Sequence, residues 1–401
     1  MKRTATVVEI GTSKIVALIG EKRSADRLDI LGTGIIPYGG LRKGVWQEPE
    51  ALADCLRRAV EEAENAAHRK ARDIYIGVPD EFIRVDVINA SVMVGNKDHV
   101  VDEDAVESLI EQAEQDLPFD DYQVLHRSPC YFVLDSGERT PDPLDAETQM
   151  LSGTVSFVSA KQTFVMLLDD LAQTVGLQIA GYYSIAYSEM LYLLTPEERD
   201  VTSILLDVGY YSSSLSVVIG DGLAFHQQIP LGGFQVASDL AYCFDIPYEQ
   251  AEQLKRRFVF GLDVQNAQDS GVDIIVEGRN VRISDKYIQN IIEARVEEIG
   301  DLIKHALFAY NGEVGANVSI GLTGGGLSLM RGVREYLSQV TGHPVRILAP
   351  QSSHLNNPMF SGAMSLLDSV LTDPGASGHH HHRGTGVLKS MFGRIADFFY
   401  E

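Results

Sequence analysis

Glu9-Ile10-Gly11-Thr12-Ser13-Lys14 sets an acid, a glycine, small hydroxyls and a lysine close together behind the apolar pair Val7-Val8. The same plan recurs in Asp207-Val208-Gly209-Tyr210-Tyr211-Ser212-Ser213-Ser214, behind Ile204-Leu205-Leu206. A third apolar run, Ile320-Gly321-Leu322, leads into Thr323-Gly324-Gly325-Gly326 and the helix-like stretch Leu329-Met330-Arg331-Gly332-Val333. Buried strands that turn on glycine let backbone N–H groups approach an anion closely, and a carboxylate at the strand end can position a hydrated Mg²⁺. Two such hairpins facing each other would clamp a polyphosphate, and a glycine-rich turn opening a helix would seat a nucleoside. Gly11, Thr12, Ser13, Lys14, Asp207 and Gly209 are therefore the candidate phosphate contacts. Glu9 and Asp207 could hold Mg²⁺ through water, and Gly324, Gly325 and Gly326 could seat the nucleoside. A solvated loop lysine at Lys14 or a turn-capping aspartate at Asp207 would look the same, and one glycine turn alone says little.

The elements that must position these turns follow the hydrophobic pattern. A strand from Lys14 to Gly20 and another near Leu28–Ile36 follow the first turn. A helix is expected over Pro49–Ala67, with Leu52, Leu56, Ala59, Val60 and Ala63 on one face, then a short buried strand Ile74–Val78 stopped by Pro79. From about Phe82 to Phe157 the texture changes to strands Ile83–Val94, Gln123–Leu134 and Thr154–Val158 around the amphipathic helix Glu103–Leu117, an α+β insert. Helix Lys161–Val175 and strand Leu177–Tyr183 return to the α/β pattern. The second half repeats the strand–turn–strand plan from Asp200. It adds strand Phe225–Pro230, a helix opening at Gly232-Gly233, helix Pro247–Phe258, a small sheet within Gly261–Ser284, the long helix Asp285–Ala309, and a helix over Phe360–Leu371. Glu252 and Lys255 stand three apart on a helix, as a ribose and adenine clamp requires; a surface ion pair would have the same spacing.

Composition sets the outer bounds. A chain of 401 residues exceeds what one hydrophobic core usually supports, so two domains are expected. The formal net charge of −23 argues against nucleic acid and against attraction of the whole surface to anionic lipid. Cys55, Cys130 and Cys243 are too far apart for metal or redox spacing and read as free thiols of a reducing compartment. The run behind Met1-Lys2-Arg3 breaks at Glu9 and Gly11, too soon for a signal peptide, and no stretch approaches the roughly 20 apolar residues of a membrane span.

The end of the chain carries a separate signal. Asp373-Pro374-Gly375-Ala376-Ser377-Gly378 through Gly386 reads as a flexible linker. Within it, His379–His382 is a low-complexity or artificial run, since contiguous histidines in a flexible stretch offer a metal no fixed geometry. Beyond it, Val387, Leu388, Met391, Phe392, Ile395, Phe398 and Phe399 share one face at helical spacing, with Lys389 and Arg394 alongside. A phenylalanine-rich face flanked by basic residues suits a bilayer's headgroup boundary, with docking on a protein groove as the alternative.

Three such turns in this order resemble the actin, Hsp70 and sugar-kinase superfamily, which implies an ATP cleft between two related halves. The insert placed right after the Tyr75–Pro79 strand, together with the linker and tail, resembles the FtsA family of bacterial cell-division proteins. Local matches run over nearly the whole chain: Glu9–Lys14, Ile229-Pro230-Leu231-Gly232-Gly233, Glu249–Arg257, Ile291–Ile299, Leu322–Gly326 and Asn357-Pro358-Met359-Phe360. The resemblance implies an α/β actin-like two-domain fold. Its first domain would be 1–83 and 159–199 with a closing helix at 359–371, interrupted by the α+β insert 84–158. A second domain 200–358 would include a small subdomain at about 248–301, followed by the linker 372–386 and the amphipathic C-terminal helix 387–401.

The resemblance also implies ATP and Mg²⁺ as ligands, with Gly232 and Gly233 among the nucleotide contacts and Glu252 and Lys255 as the clamp. It further implies self-assembly into protofilaments and a grip on the C-terminal tail of the tubulin-like FtsZ, where Arg295 could meet an acidic peptide. The setting it implies is the cytoplasmic face of the cell membrane at the septum, with other division proteins as possible partners. Several residues depart from the family pattern. Glu9 replaces an aspartate, Tyr210 and Tyr211 replace glycines, Ser214 replaces an aspartate, and Tyr183-Ser184 replaces Gln-Pro or Glu-Pro. These point to nucleotide binding with at most slow ATP turnover. Two other readings remain: a pilus-assembly adaptor of the PilM type, and a metabolite or sugar kinase, which would need a carboxylate base that no residue here supplies clearly.

Overall fold

The computed structural model describes residues 3–24, 27–42, 44–71, 73–118, 120–262, 270–276, 278–310, 312, 314–352 and 354–373. The described residues form two compact units, one of those up to Ser203 with Ser216–His226 and Gly362–Asp373, the other of Ile204–Leu215 and Gln227–Ser361. The tail helix expected at 387–401, with all its proposed membrane contacts, lies outside the described residues, as does the linker beyond Asp373.

In the first unit β1 (Thr4–Ile10), β2 (Lys14–Ser24) and β3 (Arg27–Pro37) form an antiparallel meander. A two-stranded clip, β4 (Leu41–Arg42) and β5 (Val45–Trp46), leads to α1 (Pro49–Ala67), which has the bounds expected from its periodicity. Proline in its first turn needs no N–H partner, and His68 ends it in the left-handed conformation. Its buried stripe, Leu52, Leu56, Ala59, Val60 and Ala63, lies so close to β3 that a Cβ on Gly34 would sit 1.9 Å from the Ala59 carbonyl. Strand β6 (Ile74–Val78) then runs parallel to β1.

The insert follows. β7 (Ile83–Met93), β8 (Tyr122–Val133), β9 (Arg139–Thr140) and β10 (Met150–Lys161) make an antiparallel sheet in the order β7-β10-β8-β9. Helix α2 (Glu103–Gln115) buries Val106, Leu109 and Ile110 in a core with Phe132, Leu151, Val155 and Phe157. The central strand β10 is longer than the Thr154–Val158 segment expected, because it is paired on both edges and alternation weakens where both faces are covered. Helix α3 (Gln162–Thr174) and β11 (Ile179–Ser184) complete a sheet of order β11-β6-β1-β2-β3. Two short helices, α4 (Ile185–Leu193) and α5 (Pro196–Asp200), follow.

The second half of the chain repeats this topology. β12 (Ser203–Val208), β13 (Ser213–Ile219) and β14 (Gly222–Ile229) precede α6 (Gly233–Phe244) and α7 (Tyr248–Arg257). The hairpin β15 (Gly271–Val276) and β16 (Arg279–Ser284) leads to α8 (Asp285–Ala309), β17 (Ile320–Thr323), α9 (Val333–Thr341) and β18 (Val345–Ile347). The sheet order β14-β13-β12-β17-β18 mirrors the first, with β17 parallel to both β12 and β18. One expectation is corrected here. Gly324–Gly326 does not open directly into a helix at Leu329–Val333: Gly332, at φ +77°, is the cap from which α9 starts. The last helix, α10 (Ser361–Thr372), buries Ala363, Met364, Leu366, Leu367, Val370 and Leu371.

Candidate functional site

The site of the first unit is the turn between β1 and β2. The Gly11 N–H donates to the Lys14 carbonyl at 3.0 Å, and Tyr38 N–H donates to the Ser13 carbonyl at 3.0 Å, which pins the turn to the chain after β3. A Cβ at Gly11 would lie 3.1 Å from Lys14 O, so the hairpin closes tightly but leaves the residue replaceable. Parallel pairing of β1 with β6 sets Glu9 beside Gly77, at the carboxyl ends of both strands. In α/β sheets these ends are where ligands collect.

The Glu9 carboxylate accepts the N–H of Ala363 in the first turn of α10, and Gly362 comes near enough that a Cβ would be 2.7 Å from Oε1. The other oxygen, Oε2, is buried with no hydrogen-bond partner among the described residues. Burial raises the carboxyl above the ordinary glutamate range, while Lys14 and the Ala363 N–H pull it back down. An orphaned buried carboxylate oxygen beside a lysine-bearing glycine turn fits a site that receives a cation and an anion together. Among the described residues no three His, Cys, Asp or Glu side chains converge. Mg²⁺ needs no such cage, since it takes one or two carboxylates and relies on phosphates and water for the rest.

The residues of the β11 end point elsewhere. Tyr183 donates its hydroxyl to Asp373 Oδ2 at 2.7 Å, and Ser184 caps α4 by accepting the Tyr187 N–H at 3.2 Å. The Ser184 N–H in turn donates to Nε2 of His126, whose burial holds its pKa down at about 4.

The site of the second unit gathers more of the candidates. Gly209 N–H donates to Ser212 O at 3.0 Å, the same bond as in the first turn. Asp207 pairs with Thr323 across β12 and β17, and the glycine turn folds back onto it: Gly326 N–H donates to Val208 O at 2.7 Å. Gly324, at φ +80°, lies where a Cβ would be 1.9 Å from Asp207 Oδ1. No other residue fits that position.

The start of α6 joins the same knot. Gly233 N–H donates to Gly209 O at 2.9 Å and Phe234 N–H to Tyr210 O at 2.8 Å, while Gln235 accepts the Gly232 N–H at 2.8 Å and donates to Tyr211 O at 3.2 Å. Gly232 and Gly233 thus bring α6 against the second turn, with their N–H groups engaged by protein carbonyl and amide oxygens. Lys255 is buried; its ammonium donates to Gly233 O at 2.8 Å and reaches Glu252 at 3.5 Å, and burial lowers its pKa. Glu252 also pairs with Arg256 at 2.9 Å.

Sequence reasoning did not find the ring cluster built on this turn. Tyr210 and Tyr211 stand edge to face at 4.7 Å between centroids, Phe234 lies 4.7 Å from Tyr211, and Tyr248 stacks on Phe234 at 5.1 Å. Its only sequence signal was the pair of tyrosines where small residues were expected. Ser214 is buried in β13. Arg295 makes a two-pronged ion pair with Asp239 of α6 at 2.6 and 2.9 Å and also meets Glu298, which ties α8 to α6. A peptide carboxylate would have to displace those partners.

Comparison with known proteins agrees with this architecture. The family profile "Cell division protein FtsA" matches residues 204–365, and that of "Type IV pilus assembly protein PilM" matches residues 8–267. The cell division protein FtsA of Neisseria meningitidis is 28% identical over 380 residues, which span 92% of this chain and 90% of that protein. Among solved structures, the PilM-PilN type IV pilus biogenesis complex aligns with TM-score 0.63 at 19% identity, covering 92% of this chain and 98% of that one. MreB5 of Spiroplasma citri bound to ADP aligns with TM-score 0.54 at 14% identity, covering 92% and 98%. A PilM-type profile match over 8–267, an FtsA profile match over 204–365 and likeness to FtsA proteins along nearly its whole length support a place for the chain beside FtsA in the actin-like ATPase superfamily.

Proposed function

We propose that this protein is an ATP-binding, self-assembling adaptor of bacterial cell division that ties FtsZ filaments to the cytoplasmic membrane through its C-terminal helix. The observation that carries the reading is the likeness to FtsA along nearly the whole chain, joined to a duplicated hairpin whose glycine closes the same 3.0 Å bond in both units. In this reading Thr12, Ser13 and Lys14 meet the phosphates, Glu9 and Asp207 reach Mg²⁺ through water, and Gly324–Gly326 lie against the nucleoside. Turnover is slow, because Tyr210 and Tyr211 fill the second turn with rings and Tyr183 is committed to Asp373. The FtsZ tail docks on the subdomain that holds α7 and α8, with Arg295 exchanging Asp239 for the peptide.

In this reading attachment rests on the apolar face and basic residues of the segment Val387–Phe399. Interfacial burial of its phenylalanines is partial and offset by helix ordering, so single copies bind marginally and anchors on one filament act together. The test is co-sedimentation with anionic-lipid vesicles of the intact chain beside one truncated at Gly386. The intact protein should pellet and the truncated one should not; equal behaviour would remove the tether. The PilM domain match supports a second reading, a pilus-assembly adaptor. Affinity for a PilN protein and none for an FtsZ tail peptide would favour it.

A further inference from the structure

Helix α10 is held at both ends by different machinery. Its first turn meets the acid that closes β1: the Ala363 N–H donates to Glu9, and Gly362 leaves no room for a side chain beside Oε1. Its last turn is gripped by basic and phenolic groups from the sheet. Arg3 donates to Asp373 O and reaches Leu371 O at 3.5 Å. Lys22 holds Asp368 at 2.9 Å and Thr372 at 2.8 Å, and Tyr183 donates to the Asp373 carboxylate at 2.7 Å. Cations at a helix C-terminus also complement the helix dipole.

Between the ends the helix is seated on glycines. A Cβ on Gly20 would lie 2.6 Å from Leu367, and one on Gly77 would lie 3.1 Å from Leu366. Close-packed contacts of this kind shift together rather than deform continuously. The chain that leaves Asp373 is the one that leads to the proposed anchor.

We propose that α10 is a strut coupling the first glycine turn to the root of the C-terminal segment, with Glu9 as the positioning residue that senses a polyphosphate and its divalent cation. The proposal rests on the nucleotide reading above. One Glu9 oxygen holds the helix, and the other is buried and unclaimed among the described residues. A cation drawn in by a polyphosphate at Gly11–Lys14 would use that free oxygen. Ligand binding then favours the state in which Glu9 is fixed and the first turn of α10 is docked over one in which it frays. Coupling of this kind is reciprocal, so loosening the far end of the helix must weaken the ligand even though nothing there touches it.

The test uses the full chain and magnesium ATP, with ATP binding measured directly beside amide hydrogen exchange along α10. Exchange at Ala363–Ser365 and at Val370–Asp373 should slow by about fivefold or more when ATP binds. A Lys22→Met variant, checked as folded by its thermal transition, should bind ATP several-fold more weakly. Unchanged α10 exchange in wild-type protein that demonstrably binds ATP would overturn the strut and leave the nucleotide reading standing, and so would wild-type affinity in the folded variant. Failure of the wild type to bind ATP at all would overturn both.

Discussion

The turn after β1 and the turn after β12 share a backbone and differ in what fills it. Each closes with a glycine N–H donated at 3.0 Å to the carbonyl of the residue three positions on. A Cβ would meet that carbonyl at 3.1 Å from Gly11 and at 2.7 Å from Gly209, so the second turn is the tighter one. Beyond the glycine they part. The first turn carries Thr12, Ser13 and Lys14 beside a carboxylate with an unclaimed buried oxygen. The second carries Tyr210 and Tyr211 in a ring cluster with Phe234 and Tyr248, and its strand-end aspartate abuts the Gly324 turn. Strand pairing preserves the hairpin geometry in both copies of the sheet. The side chains on it are free to diverge, into hydroxyls and a lysine beside a buried carboxylate in one copy and into a ring cluster in the other.

That contrast can be broken first through stability. Gly324→Ala would force a Cβ against Asp207 at a positive φ and should cost on the order of 3 kcal/mol or more in urea unfolding. Gly11→Ala should cost about 1 kcal/mol or less. Equal costs would mean the two turns are not differently packed. Next in size, Phe234→Ala should lose roughly 2 kcal/mol by opening the ring cluster. Lys14→Ala should leave stability within about 0.5 kcal/mol, yet weaken magnesium ATP roughly tenfold, about 1.4 kcal/mol. Binding lost at Phe234 and kept at Lys14, with both proteins folded, would reverse the assignment.

The smallest effect concerns pH. Burial raises the Glu9 carboxyl in the folded state, so the unfolded chain gives up that proton first. Glu9 therefore lowers stability as pH rises from the ordinary glutamate range toward and through its raised folded value. Without ligand, Glu9→Gln should melt above wild type at neutral pH, and the gap should shrink as the solution is acidified below that range. A variant that melts below wild type at neutral pH would show that the carboxylate is paired rather than strained.

Local features of this architecture are legible in the sequence. Pro49 and the apolar stripe of α1 bounded that helix, and a strand–glycine–turn plan written twice announced a duplicated sheet. What escaped was non-local or lacked contrast. Helix α4 went unnoticed because Ile185–Leu193 has little polar face to set a period. Gly332 was placed inside a helix because only its φ of +77° reveals it as a cap. The commitment of Lys255 to Gly233, of Arg295 to Asp239 and of Glu9 to Ala363 joins residues far apart in sequence. Spacing along the chain carries no trace of such pairs.

Equilibrium ATP binding with and without Mg²⁺, followed by steady-state phosphate release on the same preparation, tests the account most directly. Saturable, Mg²⁺-strengthened binding with slow release is the expected result, since in the proposed function the first turn meets the phosphates while rings fill the second. Undetectable binding at millimolar ATP, or brisk release, would contradict it.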